Sequence, residues 1–352
     1  MTPELPLAPS LTAHEHIGFE LGWDHAHHAL PLPAPYARED SPLRHGWLAG
    51  RAAFGARTLP ATPAVRQWLQ LRLHAWLRGR SVERVQVTPR YLEQLAVGHC
   101  PVTRVALDPE APEGGTPSVD RVRDDAGYAA GNLAVMSLKA NHAKAAWGLR
   151  DALRFAERIE REALGGIDGL TAAEWRRVGI LCSFVEPLPH EEAGTLPMLV
   201  LPPNRLRLFN PVQALQALVS RQLLAPGWSH RVSRLQDLLP GTHARREFQA
   251  FFHALLPRVL EAARHDAEHA RWAVEDAWLS PLVQKRWAAF SHGLTAAQCE
   301  ALVAKATARK LGTLLAEPMR DEQATEGWNL DTRGYVPHAV VAPTYPRQLA
   351  LL

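Results

Sequence analysis

The sequence predicts a mainly helical protein with a small ββα metal-binding finger embedded in it. Two observations lead there. Apolar residues recur with helical spacing over most of the chain, and helix-start signals such as Thr62-Pro63 and Thr171-Ala172-Ala173-Glu174 punctuate them. One stretch breaks the pattern, Pro117 to Lys144 (PSVDRVRDDAGYAAGNLAVMSLKANHAK). There a short β-like run, Ser118-Val119, ends on Asp120-Arg121, and a polar loop follows, Asp124-Asp125-Ala126-Gly127-Tyr128. Asn132 then opens a second β-like run, Leu133 to Met136, and a helical segment carries Asn141, His142 and Lys144.

Composition sets the frame. A chain of 352 residues with 47% hydrophobic residues buries a sizeable core and divides into two or three domains. A net charge of +3 is only mildly basic, so partners have to be argued from local patches. The three cysteines, Cys100, Cys182 and Cys299, form no CxxC pair, which argues against a zinc ribbon or a disulfide framework and fits a reducing compartment. No apolar run approaches the roughly 18 residues of a membrane span, and the first residues lack the pattern of a secretory signal. The expectation is a soluble, cytoplasmic protein with no membrane partner and no structural zinc.

Residues 1–56 read as a helical hairpin module. Two short helices flank a Pro-rich turn, Pro31 to Tyr36, and Ser41-Pro42 marks the second start. Gly18 and Gly22, like Gly46 and Gly50, lie at i and i+4, giving each helix a smooth strip for close approach. His25, His27 and His28 lack a well-spaced third ligand and read as a solvated helix end. The run Gly18-Phe19, Gly22, Pro35-Tyr36 and Trp47-Leu48-Ala49-Gly50-Arg51 resembles the ribosome modulation factor family. That resemblance covers residues 15–56 and implies a small module that contacts RNA, with the ribosome as partner. An ordinary helical hairpin packed on its glycines is the alternative.

Residues 57–98 form a basic helical lead-in. Val65, Trp68, Leu69, Leu71, Leu73, Trp76 and Leu77 give it a broad apolar face. Arg66, Arg72, Arg78, Arg80, Arg84, Arg90 and Arg104 are spread from there to the next segment, where they suit either phosphate contact or a solvated face.

Residues 99–150 hold the finger. Cys100, Thr103, Leu107, Ser118, Asp120, Arg121, Gly127, Tyr128, Asn132, Asn141 and Lys144 together resemble the HNH (His-Me finger) endonuclease superfamily, in the branch that reads Asp-Arg. The resemblance implies metal-dependent hydrolysis of phosphodiesters, with Asp120 and Asn141 as ligands to Mg²⁺ or Mn²⁺ and Asn132 tying the loop. A hard cation would offset charge on the phosphorane. Gly127 is expected to permit a positive φ, with Tyr128 packed beneath. Arg121, Arg123, Lys139, Lys144 and Arg104 are the candidate nucleic-acid contacts. The pattern departs from the superfamily at its base: the usual histidine is Arg121, which stays protonated and cannot accept a proton. His142 and His99 are the nearest replacements in sequence, and a metal-bound hydroxide is another.

Residues 151–352 read as a helical domain with a Pro-rich wall or linker at 187–211. Leu294-Thr295-Ala296-Ala297-Gln298 repeats the earlier helix start as a coincidence of caps. Trp beside Arg (Trp175-Arg176, Arg271-Trp272, Arg286-Trp287) suits helix packing better than base stacking. A long helix around Arg245 to Leu279 should kink or split at Pro257. Within it, His265-Asp266-Ala267-Glu268-His269 matches H-x-x-E-H, yet without a downstream carboxylate ligand it reads as a solvated face. Glu317 to Leu352 reads as surface coil. Two functions follow: a metal-dependent endonuclease of DNA or RNA, with DNA favoured and with Asp120, Arg121, Asn132, Asn141 and His142 as its catalytic set, or a non-catalytic nucleic-acid- or ribosome-binding factor whose HNH finger has lost its base.

Overall fold

The computed structural model describes residues 11–110, 114–265 and 270–312. Helices dominate, and a single two-stranded antiparallel sheet interrupts them among the described residues. The chain divides into two compact units. One holds the described residues up to Gln94 together with Asp125–Ala129, and the other holds Leu95–Asp124 and the described residues from Ala130 onward.

The first unit begins with α1 (Ala13–His27), whose Thr12 and Glu15 close a capping box, and α2 (Pro42–Phe54), which starts with proline in its first turn after Ser41. The two helices meet backbone to backbone. A Cβ added at Gly22 would lie 1.9 Å from the Leu43 carbonyl oxygen, and one at Gly46 would lie 1.8 Å from that of Phe19. The smooth strips read from the sequence are therefore the contact surface. α3 (Pro63–Leu77), capped by Thr62, completes the core, in which Leu21, Leu30 and Leu43 of the hairpin pack with Val65, Leu69, Leu73 and Trp76. α4 (Pro89–Leu95) follows. The histidine cluster is not a solvated helix end: His25 is 7% exposed, and His27 stacks on Phe54 with ring centroids 4.1 Å apart. The hydrophobic environment of the hairpin claims these rings.

The second unit carries β1 (Pro117–Arg121) and β2 (Leu133–Ser137), paired antiparallel with Asp120 opposite Ala134, and then α5 (Leu138–Lys144). α6 (Leu149–Arg161) and α7 (Ala172–Ser183) pack on each other, the latter behind the Thr171–Glu174 capping box. The Pro-rich segment is an irregular wall that includes a short helix, α8 (His190–Thr195), and buries Met198 to Leu201. α9 (Pro211–Gln222), α10 (Trp228–Gln236), α11 (Gly241–His265), α12 (Ala270–Ala277), α13 (Pro281–His292) and α14 (Ala296–Ala308) complete the described chain. Phe251, Trp278 and Trp287 form an aromatic centre, each ring within 5.5 Å of the next. Trp175 and Trp287 are buried, so their neighbouring arginines flank core residues, as packing requires. Pro257 does not split α11, which continues through it. Residues 266–269 of the H-x-x-E-H match and the segment from Glu317 lie outside the described residues. No described helix is long and apolar enough to cross a membrane.

Candidate functional site

Side chains on a strand alternate, so Ser118 and Asp120 share one face of β1. On α5, Asn141 and Lys144 are three residues apart and share one face. The two faces meet. Asn141 donates from Nδ2 to Ser118 Oγ at 2.7 Å, and Lys144 Nζ lies 3.0 Å from Asp120 Oδ2. Lys144 also donates to the Arg121 carbonyl at 2.9 Å. Ser137 caps α5, accepting from Ala140 N, and its hydroxyl meets Thr103 Oγ1 at 3.3 Å. A polar seam therefore runs between β1 and α5, closed in by Ser118, Ser137 and the apolar strand residues, all buried.

Lys144 is the largest departure from the sequence reading. It was expected on a phosphate, but its side chain is fully buried and its ammonium is committed to Asp120 and Arg121. Burial acts against charge on both members of the pair. It pushes the Asp120 carboxyl up, with Lys144 pulling the other way. It would lower Lys144, but the Asp120 carboxylate reverses this and holds the ammonium above its ordinary value. The geometry favours the ion pair, because a charged lysine inside the protein is offset only by a carboxylate.

Asn132 has no exposed surface and holds the backbone of Arg123 from both sides. Its Oδ1 accepts from Arg123 N and its Nδ2 donates to Arg123 O, each at 2.9 Å. Arg121 turns back on the same loop, with bonds to Asp124 Oδ1 (2.6 Å) and Asp124 O (3.0 Å). The positive φ of the loop falls at Gly131 (92°) rather than Gly127, and a Cβ there would meet Arg207 at 2.8 Å. Tyr128 is buried and pairs with Ser81–Glu83 through a short parallel bridge within the first unit.

Arg104 is also taken from the predicted nucleic-acid contacts. Its guanidinium forks onto Asp276, at 2.8 and 2.6 Å, reaches Glu275 at 3.4 Å, and sits over the Trp272 ring. It fastens the turn around Cys100 to α12. His99, too, is turned toward Trp272, edge to face at 5.4 Å. His142 and Lys139 lie exposed on α5, one turn apart, and Arg123 is half-buried. Trp147, just past the end of α5, is 42% exposed and is the one exposed tryptophan among the described residues. The sequence reading passed over it, although it directly follows the finger motif.

The donor chemistry decides how far a metal fits. Mg²⁺ takes several oxygen ligands at about 2.0–2.1 Å and keeps some of its waters. Asp120 Oδ2 already holds an ammonium, Asp120 is 6% exposed, and the Asn141 amide directs its NH₂ group to Ser118. A hydrated ion would have to displace Lys144, so Asp120 and Asn141 in this arrangement do not fit as a metal pair. Among the described residues, no three His, Cys, Asp or Glu side chains converge on a metal position. Compared with protein-family models, curated proteins and solved structures, the chain matches none.

Proposed function

We propose that the chain is a nucleic-acid-binding factor built around an HNH-type ββα finger that grips its partner without cutting it. The observation that carries this reading is the buried Lys144–Asp120 pair, which engages the carboxylate that hydrolysis would require. Arg121 in the place of a general base points the same way, since its guanidinium is a donor and is turned onto Asp124. The exposed side of α5 offers the contacts: Lys139 and His142 for phosphate and Trp147 for a base face. The hairpin of residues 15–56 supplies a second contact, with the ribosome as partner.

Fluorescence anisotropy with labelled single-stranded RNA, single-stranded DNA and duplex DNA, in EDTA, tests the reading. Binding is expected without metal and should weaken steadily with salt. Trp147→Ala should weaken single-strand binding by about ten-fold or more, as loss of one stacked base does. Lys139→Ala should weaken all sequences alike and flatten the salt dependence. Affinity untouched by both substitutions would remove α5 as the interface. For the ribosome contact, co-sedimentation should be compared between wild type and variants at the exposed Leu48 and Arg51 of α2. Deleting the hairpin is a poorer test because it shares its core with α3.

One observation favours the hydrolytic alternative: Asp120 and Asn141 flank the same seam, with Asn141 bonded two residues from Asp120. Cutting of plasmid, single-stranded DNA or RNA with Mg²⁺ or Mn²⁺, lost in Asp120→Ala, would replace the binding reading with the endonuclease one.

A further inference from the structure

A buried lysine ordinarily loses its proton or swings out to water. Lys144 does not reach water, since its side chain has no exposed surface. Two oxygens hold it, Arg121 O at 2.9 Å and Asp120 Oδ2 at 3.0 Å, both from the last two residues of β1. A carboxylate and a backbone carbonyl are also the donors a hard cation selects. The nearby sulfur does not change that class. Cys182 directs its thiol at the Val122 carbonyl, and burial pushes it up to about 12, so it remains a protonated thiol and not a soft anionic ligand.

We propose that Lys144 is a tethered cation occupying the position of a divalent metal, so that the ββα unit is held by an internal ion pair, and that removing its charge opens a latent oxygen-lined site for Mg²⁺ or Mn²⁺ at Asp120 and the Arg121 carbonyl. The inference does not depend on what the chain binds. It places the finger's independence from metal in one side chain.

The test uses the full chain, with Mn²⁺ as the probe. Wild type should melt at the same temperature, within about 1 °C, in EDTA and in millimolar Mn²⁺, because Lys144 already engages the Asp120 carboxylate. Lys144→Ala should lower Tm in EDTA by about 10 °C, since it leaves a buried carboxylate unpaired. Mn²⁺ should restore at least about half of that loss, and the Mn²⁺ resonance signal should report about one bound ion per chain. Adding Asp120→Asn to Lys144→Ala should abolish both effects. Two results would overturn the proposal: Mn²⁺ uptake by wild type that disappears in Asp120→Asn, which would make the ion and not the lysine the native occupant, or a folded Lys144→Ala that takes up no Mn²⁺. Should Lys144→Ala fail to fold, Lys144→Met keeps the volume without the charge and is read in the same way, and the wild-type measurement stands by itself.

Discussion

Asn132 shows how much one side chain can fix. Its amide satisfies the N–H and the C=O of Arg123 while itself fully buried, and Val122 N donates to the Asn132 carbonyl at 2.8 Å. Asn132→Ala removes the amide from both of those backbone groups. The expected cost is about 2–4 kcal/mol, read from the urea midpoint of the second unit. Asn132→Asp keeps the acceptor but sets a carboxylate oxygen against the Arg123 carbonyl, and should be no better tolerated. Arg104 gives a second prediction at this scale. As a fork on Asp276 it is structural, so Arg104→Lys should destabilise by about 1–2 kcal/mol and leave nucleic-acid affinity unchanged. A loss of affinity with unchanged stability would return Arg104 to the interface. The sequence carries the order of Asp120, Asn132, Asn141 and Lys144 because local spacing sets which face each takes. It does not carry their partners. Arg104 and Asp276 are 172 residues apart, and no pattern around either one announces the other.

Among the elements, the α1–α2 hairpin makes the clearest demand on sequence. In an exposed helix, Gly→Ala stabilises by about 1 kcal/mol. At Gly22 and Gly46 the sign reverses, because the added Cβ would fall within 2 Å of a carbonyl oxygen on the facing helix. Either substitution should cost about 2–3 kcal/mol or more and lower the melting temperature of the first unit, by circular dichroism. Gly55 is a useful contrast, since it has open space but φ 54° and ψ −117°; Gly55→Ala should cost about 1–3 kcal/mol, from backbone strain alone. Here the sequence was legible in detail: i, i+4 glycines on two adjacent helices have few other uses. It was less legible where a local rule met a tertiary one. Pro257 removes a helical hydrogen bond, yet α11 runs through it with Leu255 and Val259 buried on either side. Packing of that face outweighs a defect that the sequence presents as a break. The short helix α8 carries no legible start, because the prolines that flank it and its own glycine give the signals of a loop.

At the scale of the whole molecule, the first unit concentrates histidines in environments that resist charge. His25 is buried between α1 and its neighbours, His14 stacks face to face on Trp76 with centroids 4.5 Å apart, and His74 sits on α3. Burial lowers all three below the ordinary histidine value of 6.5. The charges around His25 divide: Arg72 and His28 push it further down, while Asp24 acts the other way without reversing the shift. Each ring is therefore neutral in the folded unit at a pH where the unfolded chain has begun to take up protons. Between the lowered folded values and 6.5 the unfolded state binds more protons, so stability falls as pH falls. The contribution is complete above pH 6.5 and is lost as pH drops through the folded values. Hydrogen exchange at pH 7.5 and pH 5.5, corrected for the intrinsic rate, should show amides of α1 and α3 opening more often at the lower pH. His25→Leu should flatten that dependence by removing the most deeply buried of the three. Equal protection at both values would mean that these histidines charge inside the fold, and that the hairpin core admits water where its packing indicates it is dry.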